Sequence, residues 1–155
     1  MKIYQAQPEA DQIIAQHFYQ LWLDNGIATE SIDPNWCQLT LEFIEQARHN
    51  LSFQAFIAQV DGKVAGSVSC QIFSGVYPLL FRPEYRHYGY IWNVYVQPNF
   101  RRQGLGSKLT RTAINHLKKL NCTKVVLHAS PSGKPIYESI GFIPNNEMIL
   151  DLTAS

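Results

Sequence analysis

The sequence has few of the features that mark membrane-spanning, secreted or disulfide-stapled proteins. No apolar run in its 155 residues reaches the ~18 residues that a membrane helix needs. Residues 1–8 contain no apolar core, so we expect no secretory signal. Three cysteines, Cys37, Cys70 and Cys122, are far apart and odd in number, which excludes a fully paired disulfide framework and offers no metal-type spacing. We therefore expect buried thiols and a cytoplasmic protein without a membrane partner.

Charged residues make up only 16% of the chain, and acidic residues are missing from one long stretch. Residues 1–84 carry four Lys or Arg and nine Asp or Glu, a net charge of −5. Residues 85–137 carry nine Lys or Arg and no acid, a net charge of +9, whereas residues 138–155 carry three acids and no base. The basic stretch favours an anionic ligand such as a phosphate, a nucleic acid or an anionic cofactor, and a solvated helix face is the alternative explanation.

Hydrophobic residues make up 46% of the chain, which is too many for a disordered protein and enough for one domain over residues 1–155. Alternating and helical periodicities predict the element order β-α-α-β-β-β-α-β-α-β, a mixed α/β fold. Asp61-Gly62 predicts a tight hairpin between two strands. The predicted strands are residues 2–6, 53–60, 63–73, 88–96, 124–129 and 147–152, and the predicted helices begin at Pro8, Asp33-Pro34, Gly104 and Ser130-Pro131.

The most informative block is residues 94–107, where a predicted strand ends, two arginines form a turn and two glycines open a helix. A helix N-terminus has unpaired N–H groups and a partial positive charge, so it attracts anions. A dinucleotide-binding fingerprint is excluded because it needs a glycine where Leu109 stands. The remaining pattern is Arg101-x-x-Gly104-x-Gly106.

This pattern resembles the Gln/Arg-x-x-Gly-x-Gly/Ala motif of the GNAT acetyltransferase superfamily, which lies at the same kind of strand-to-helix turn. Residues 128–142 resemble that family's later strand and helix and end in Tyr137-x-x-x-Gly141-Phe142. The resemblance covers about residues 53–150. It implies a single GNAT-type N-acetyltransferase domain with a twisted mixed sheet of six to seven strands, flanked by about four helices.

The resemblance also implies that acetyl-CoA donates its acetyl group directly to a primary amine, within a ternary complex and without a metal. In that family the main chain of the strand before the turn pairs with the pantetheine arm, which corresponds here to Val94, Tyr95 and Val96. Coenzyme A is polyanionic, which gives the basic stretch a purpose. The residues assigned to its pyrophosphate are Arg101, Arg102, Gln103, Gly104, Leu105, Gly106 and Ser107.

Acetyl transfer to an amine needs a base for the ammonium proton, a donor for the developing oxyanion and an acid for the departing thiolate. The resemblance assigns the oxyanion donor to a main-chain N–H near Tyr95 and the acid to Tyr137. The alternative for Tyr137 is an aromatic side chain that packs beside Ile136 and Ile140 in a helix. The resemblance therefore gives two of the three groups a candidate.

The sequence does not identify the general base. Some relatives carry a Glu or Asp on the fourth strand, but residues 88–96 contain neither, and Asn93 cannot take a proton at neutral pH. A water relay, Glu84 and His87 stay open as alternatives.

The acceptor is a small-molecule or peptide amine that the sequence does not identify. Tyr77, Phe81 and Tyr85 lie in the predicted loop 74–87, where they wall either an acceptor pocket or a dimer interface. A homodimer therefore stays open. The alternative function is a non-catalytic acyl-CoA-binding sensor. A nucleic-acid partner is disfavoured because no basic recognition helix appears.

Overall fold

The computed structural model describes residues 1–75 and 79–152. Nine elements of the described residues follow the predicted order, the last predicted strand is absent, and one short helix is added in the segment expected to be a loop. The strands are β1 (Lys2–Gln5), β2 (Gln54–Val60), β3 (Lys63–Ile72), β4 (Tyr88–Val96) and β5 (Lys124–Val126). The helices are α1 (Asp11–Asp24), α2 (Trp36–Asn50), α3 (Pro83–Arg86), α4 (Leu105–Lys119) and α5 (Lys134–Ile140).

The strands form one mixed sheet in the order β1-β2-β3-β4-β5. Neighbours are antiparallel from β1 to β4, and β4 pairs with β5 in parallel. The β2–β3 hairpin turns at Asp61 and Gly62, both with positive φ (48° and 77°), as the twist of a tight two-residue turn requires. The mixed α/β class and the predicted hairpin are therefore confirmed.

The predicted number of strands was too high. The described residues form five strands, not six or seven, and residues 142–152, which include the expected strand 147–152, contain no strand. Their apolar residues find no regular strand edge to pair with, because β5 has only three residues instead of the six expected and pairs with only three of β4. A strand needs a neighbour for its backbone hydrogen bonds, so the pattern alone does not form one.

The sheet separates two hydrophobic cores. On one face, α4 buries Leu109 and Leu117 against Val68 of β3 and Ile91 of β4. On the other face, α1 and α2 bury a second cluster against β2. That cluster comprises Ala6, Ile14, Ile44, Ala47, Phe53, Ala55 and Ile57. Each fully buried Leu or Ile contributes about 1.5–3 kcal/mol, so these two layers fix how β4 is held between α1 and α4.

The central strand β4 is interrupted by a β-bulge that the sequence pattern did not predict. Tyr95 pairs with Ser67 and Trp92 with Ser69, so that both Asn93 and Val94 stand opposite a single residue of β3. Asn93 adopts a left-handed conformation with φ 54°, which asparagine tolerates better than most residues. Because the bulge inserts one extra residue, side chains after it point to the opposite face of the sheet from the one that simple alternation along β4 predicts.

The three cysteines are free, but only Cys70 is buried, whereas Cys37 and Cys122 are half-buried. The expectation of three buried thiols is therefore correct for Cys70 alone. Across the part of the chain that the structure describes, every helix is too short or too polar to cross a lipid bilayer.

Candidate active site at the separation of two strands

A large cleft begins where β4 and β5 separate. Their parallel pairing covers only Tyr88–Tyr90 on β4 and Lys124–Val126 on β5. Beyond this point the edge of β4 from Ile91 to Val96 lines a cleft of about 920 Å³. Extended backbone without a neighbouring strand offers N–H and C=O groups to a ligand, so this edge can bind an extended chain.

The cleft brings together nearly all of the site residues predicted from the sequence. Gln103 is the exception, since it is exposed and does not line the cleft. The predicted residues in the lining are Val94, Tyr95, Val96, Arg101, Arg102, Gly104, Leu105, Gly106, Ser107 and Tyr137. Strand edge, turn, helix start and Tyr137 thus share one continuous surface, although α5 lies about 30 residues further along the chain.

The N-terminus of α4 forms one end of the cleft. Gly104 precedes the helix with φ 74°, and no side chain caps the first turn. The N–H groups of Leu105, Gly106 and Ser107 therefore have no partner within the helix, because a first turn lacks preceding carbonyls. The helix dipole adds a partial positive charge at the same place. This end of the cleft is suited to an anionic group.

The two arginines of the turn have different surroundings. The Arg101 guanidinium pairs with Asp24 at 2.5 Å and donates from Nε to the carbonyl oxygen of Val96 at 2.8 Å. It also lies 5.8 Å from the centre of the Tyr95 ring. Arg101 thus ties the end of β4 to the end of α1, whereas Arg102 is exposed with φ 61° in the turn. Arg102 is the better placed of the two to meet a ligand anion.

Tyr137 lies in the cleft lining on α5. Burial raises its pKa, so the phenol keeps its proton at neutral pH. The ring also contacts Phe142 edge-on at 5.9 Å and lies so close to Gly133 that a Cβ there would come within 2.9 Å of it. Tyr137 therefore combines a packing role with a protonated hydroxyl at the cleft.

A hydrogen-bonded chain that the sequence reasoning missed lies at the point where the strands separate. The hydroxyl oxygen of Tyr90 is 3.0 Å from Nδ1 of His128, and Nε2 of His128 is 3.1 Å from both carboxylate oxygens of Glu147. His128 lines the cleft, whereas Glu84 and His87 are exposed and lie outside its lining. The sequence signal was the position of His128 near the end of the predicted strand 124–129.

Buried polar groups lie beneath β4 on the α1 side. His17 is buried, its Nδ1 lies 2.8 Å from the Ser67 hydroxyl, and its ring is 4.8 Å from that of Tyr95. Burial lowers the pKa of His17 to about 4, so the imidazole is neutral at pH 7. It supports Tyr95 as an uncharged packing group.

A second, mainly apolar cavity of about 380 Å³ lies beside α1 and α2. It is close to the cleft because Phe18, in its wall, contacts Trp92 of the cleft at 5.0 Å between ring centres. Of the aromatic residues expected to wall an acceptor pocket, Phe81 and Tyr85 are exposed and line neither cavity, and Tyr77 lies outside the described residues. The walls of the second cavity are Phe18, Tyr19, Trp22, Ile27, Ser31, Ile32, Trp36 and Thr40.

Separated parallel strands that lead to an uncapped helix N-terminus form a cleft suited to a long ligand with an anionic end. The sequence model of the Acetyltransferase (GNAT) family matches residues 15–142. The chain belongs to this family.

Curated relatives agree with that membership, and solved structures share the fold. A glucosamine 6-phosphate N-acetyltransferase from Trypanosoma brucei brucei is 31% identical over 110 residues, which is 68% of this chain and 69% of that protein. N-alpha-acetyltransferase 30 from Xenopus laevis is 28% identical over 64% of this chain, which spans only 35% of that longer protein. A GCN5-related N-acetyltransferase structure from Ralstonia eutropha has a TM-score of 0.84 at 18% identity, covering 99% of both chains. A Clostridium acetobutylicum acetyltransferase solved with acetyl-CoA has a TM-score of 0.80 at 24% identity, covering 97% of this chain and 96% of that one.

Proposed function

We propose that this protein is an N-acetyltransferase that moves the acetyl group of acetyl-CoA directly to a primary amine within a ternary complex. One observation carries the proposal: the open edge of β4 and the uncapped N-terminus of α4 line the same cleft. The extended pantetheine arm of acetyl-CoA would lie along the edge of β4, and its phosphates would lie at the N-terminus of α4. We place this activity in the cytoplasm, in keeping with the three free thiols.

The residues present suit acetyl-CoA. The N–H groups of Leu105, Gly106 and Ser107 would hold its pyrophosphate, with Arg102 as a further donor. Gly106 has no side chain of its own to obstruct a phosphate that approaches this backbone. The edge from Val94 to Val96 would pair with the pantetheine arm. When bound, acetyl-CoA supplies an activated acetyl group as a thioester.

The side chains around the cleft supply the remaining chemistry. A main-chain N–H near Tyr95, at the end of the bulged strand, would stabilise negative charge on the acetyl oxygen. The protonated hydroxyl of Tyr137 would donate to the departing sulfur. The described residues contain no group of three or more His, Cys, Asp or Glu that could hold a metal ion.

The acceptor class is part of the proposal. The names of the relatives include an enzyme for glucosamine 6-phosphate, a small amine, and enzymes for N-alpha acetylation. The aromatic second cavity beside the cleft offers space for an apolar part of the acceptor.

We also propose a homodimer. The exposed apolar residues of 143–152, such as Met148 at 93% exposure, support it, and light scattering measures the oligomeric state directly.

The test is calorimetric titration with acetyl-CoA, comparing the wild type with Gly106→Glu. A Cβ at Gly106 meets nothing closer than 3.5 Å, so the variant is expected to fold, and an acid in a first turn favours the helix. The added carboxylate repels the pyrophosphate, and we expect at least a tenfold loss of affinity. Asn115→Glu adds the same charge on an exposed position of α4 and should bind like the wild type.

An amine screen then separates the enzyme from its alternative, a non-catalytic acyl-CoA sensor. Thiol release from acetyl-CoA with glucosamine 6-phosphate, other small amines or peptides identifies an enzyme. Tight binding without any transfer would favour the sensor. If the folded protein neither binds acetyl-CoA nor gains thermal stability from it, both readings fail and the basic stretch serves another anion.

A further inference from the structure

We propose that the acceptor is a primary amine that carries an aromatic ring and no phosphate, and that this ring binds in the second cavity, the space of about 380 Å³ beside α1 and α2. The inference rests on the proposed function and narrows its acceptor to one chemical class. Two kinds of molecule have this chemistry: a small amine with a ring on a short carbon chain, and a peptide whose first residue is aromatic.

The walls of the second cavity are suited to an aromatic ring. None of the eight described residues that line it is charged, and four of them are aromatic. The Tyr19 and Trp36 rings stack with 4.3 Å between their centres, and Trp22 meets Phe18 edge-on at 6.1 Å. The Thr40 hydroxyl already donates to the carbonyl oxygen of Trp36 at 2.7 Å. A ring gains stacked and edge-on contacts here, whereas a sugar would lose hydrogen bonds to water that these walls do not replace.

The second cavity is open to solvent and large enough for a ring. Trp22 and Ile27 in its wall are 44% and 40% exposed, so a ligand can enter between them. An apolar cavity of roughly 150 Å³ is known to hold benzene. The volume of about 380 Å³ therefore accommodates a phenyl or indole ring together with part of its carbon chain.

Helix α1 joins the second cavity to the cleft. Trp22 lines the cavity, whereas its neighbour Leu21 lines the cleft. Phe18 in the cavity wall meets Trp92 of the cleft wall edge-on, with 5.0 Å between the ring centres. Trp92 is fixed there because its Nε1 donates to Oε1 of Gln71 at 3.0 Å. The two spaces therefore share an aromatic wall, and one molecule can occupy both.

The distance between the two spaces fits an amine on a short chain. Trp92 and Tyr95 are three residues apart on β4, and a strand rises about 3.3 Å per residue, so their main chains are at most about 10 Å apart. The proposed function places the acetyl carbonyl near the N–H of Tyr95. A carbon chain of a few bonds therefore links a ring beyond Trp92 to a nitrogen beside that carbonyl.

The charge around the second cavity favours a cation and opposes a phosphate. Residues 11–50, which form α1, α2 and the segment between them, carry six Asp or Glu and one Arg, a net charge of −5. An ammonium group is attracted to such a surface, and a phosphate is repelled. Arg101 reaches the end of α1, but Asp24 there neutralises its charge. We therefore expect glucosamine 6-phosphate, the compound in the name of one relative, to be a poor acceptor for this protein.

Intrinsic fluorescence tests the binding of the ring without any acetyl transfer. The three tryptophans of the chain surround the proposed path, since Trp22 and Trp36 line the second cavity and Trp92 lines the cleft. Phenylbutylamine should change the tryptophan emission until it saturates. Butylamine, the same amine without the ring, should leave the emission unchanged at equal concentration. Equal responses to the two amines would overturn the proposal.

Steady-state kinetics tests the preference during transfer. The wild type should have a kcat/KM for phenylbutylamine about a hundredfold above that for butylamine, and above that for glucosamine 6-phosphate. A peptide that begins with phenylalanine should likewise exceed one that begins with alanine if peptides are the source of the ring. Whichever ring-bearing acceptor has the higher kcat/KM identifies the source, and both results support the proposal. A higher kcat/KM for glucosamine 6-phosphate than for either would overturn it.

Variants of the cavity wall show where the ring binds. Ser31→Phe places a ring of the protein itself at the exposed edge of the cavity, and Ile27→Gln adds a neutral polar group to its wall. Each should lower kcat/KM for phenylbutylamine at least tenfold and leave that for butylamine unchanged. Thr29→Phe and Ala28→Gln make the same changes at exposed positions outside the wall and should match the wild type. An unchanged preference in both wall variants would overturn the proposal.

Acetyl-CoA titration separates this inference from the proposed function. All four variants should bind acetyl-CoA like the wild type, because none of these positions lines the cleft. If the wild type binds no acetyl-CoA, the proposed function fails, and saturable binding of the ring in the fluorescence titration still supports an aromatic site. If acetyl-CoA binds and butylamine or glucosamine 6-phosphate is acetylated as well as phenylbutylamine, the proposed function stands and this inference fails.

Discussion

Nδ2 of Asn93 donates a hydrogen bond to the main-chain carbonyl oxygen of Ile14 at 3.1 Å, which joins the bulge of β4 to the first turn of α1. Asn93 is 3% exposed, and its Oδ1 has no hydrogen-bond partner among the described residues. The bond satisfies one polar group, and it fixes the strand from which Tyr95 and Val96 enter the cleft. The bulge is therefore part of the site's construction.

Asn93→Ala should destabilise the protein by about 2 kcal/mol. It removes the bond to Ile14, worth about 1 kcal/mol, and puts a residue with a Cβ and no side-chain amide into the left-handed conformation at a further cost of about 1 kcal/mol. Asn93→Gly removes the same bond without that strain, so it should cost about 1 kcal/mol. Urea unfolding at pH 7 measures both. Equal losses in the two variants would mean that the positive φ at Asn93 carries no strain.

The buried His17 should make stability depend on pH. Its folded-state pKa of about 4 lies below the ordinary 6.5, so between these values the unfolded chain binds a proton that the folded chain does not. Stability should therefore be full above pH 6.5 and fall by roughly 3 kcal/mol as the pH drops to 4. His17→Gln should lose this slope in urea unfolding, whatever its own stability at pH 7. The exposed His49→Gln variant should keep it, and parallel curves for His17→Gln and the wild type would contradict the prediction.

Tyr137→Phe should lower kcat by about ten- to a hundredfold while leaving acetyl-CoA affinity unchanged, because it removes the donor to the departing thiolate but keeps the ring that packs on Phe142. Because burial raises the pKa of Tyr137, the wild-type rate should persist into alkaline pH before it falls. Initial rates across pH measure both effects. The exposed Tyr85→Phe is the control. An unchanged kcat would leave Tyr137 with a packing role alone.

Local sequence patterns predicted most of the elements. The helical spacing of Leu105, Leu109, Ala113 and Leu117 reappears as the buried face of α4, because a helix places residues three and four apart on one side. Asp61-Gly62 produced its hairpin because both residues tolerate positive φ. Such features depend on a few neighbouring residues, and the sequence shows those directly.

Predictions from the sequence were wrong or incomplete where a feature depended on a partner that is distant in the chain. The largely apolar segment 147–152 was expected to be a strand, yet it is no strand in the structure, since pairing requires an edge that the short β5 does not offer. Arg101 lines the cleft, and its role toward phosphate stays a prediction, but its ion pair with Asp24, which is 77 residues away in the chain, was not foreseen. Neither partner can be recognised from local pattern.

The sequence by itself determined the strand–turn–helix of residues 94–107, its glycines and its basic surroundings, because an anion cradle is built from consecutive residues. Only the tertiary structure decided the bulge at Asn93 and the meeting of Tyr90, His128 and Glu147. These three residues come from three segments, and the packing of the sheet brings them together. Hydrogen bonds act over about 3 Å whatever the separation along the chain, so a chain of them emerges only once the fold has set those distances.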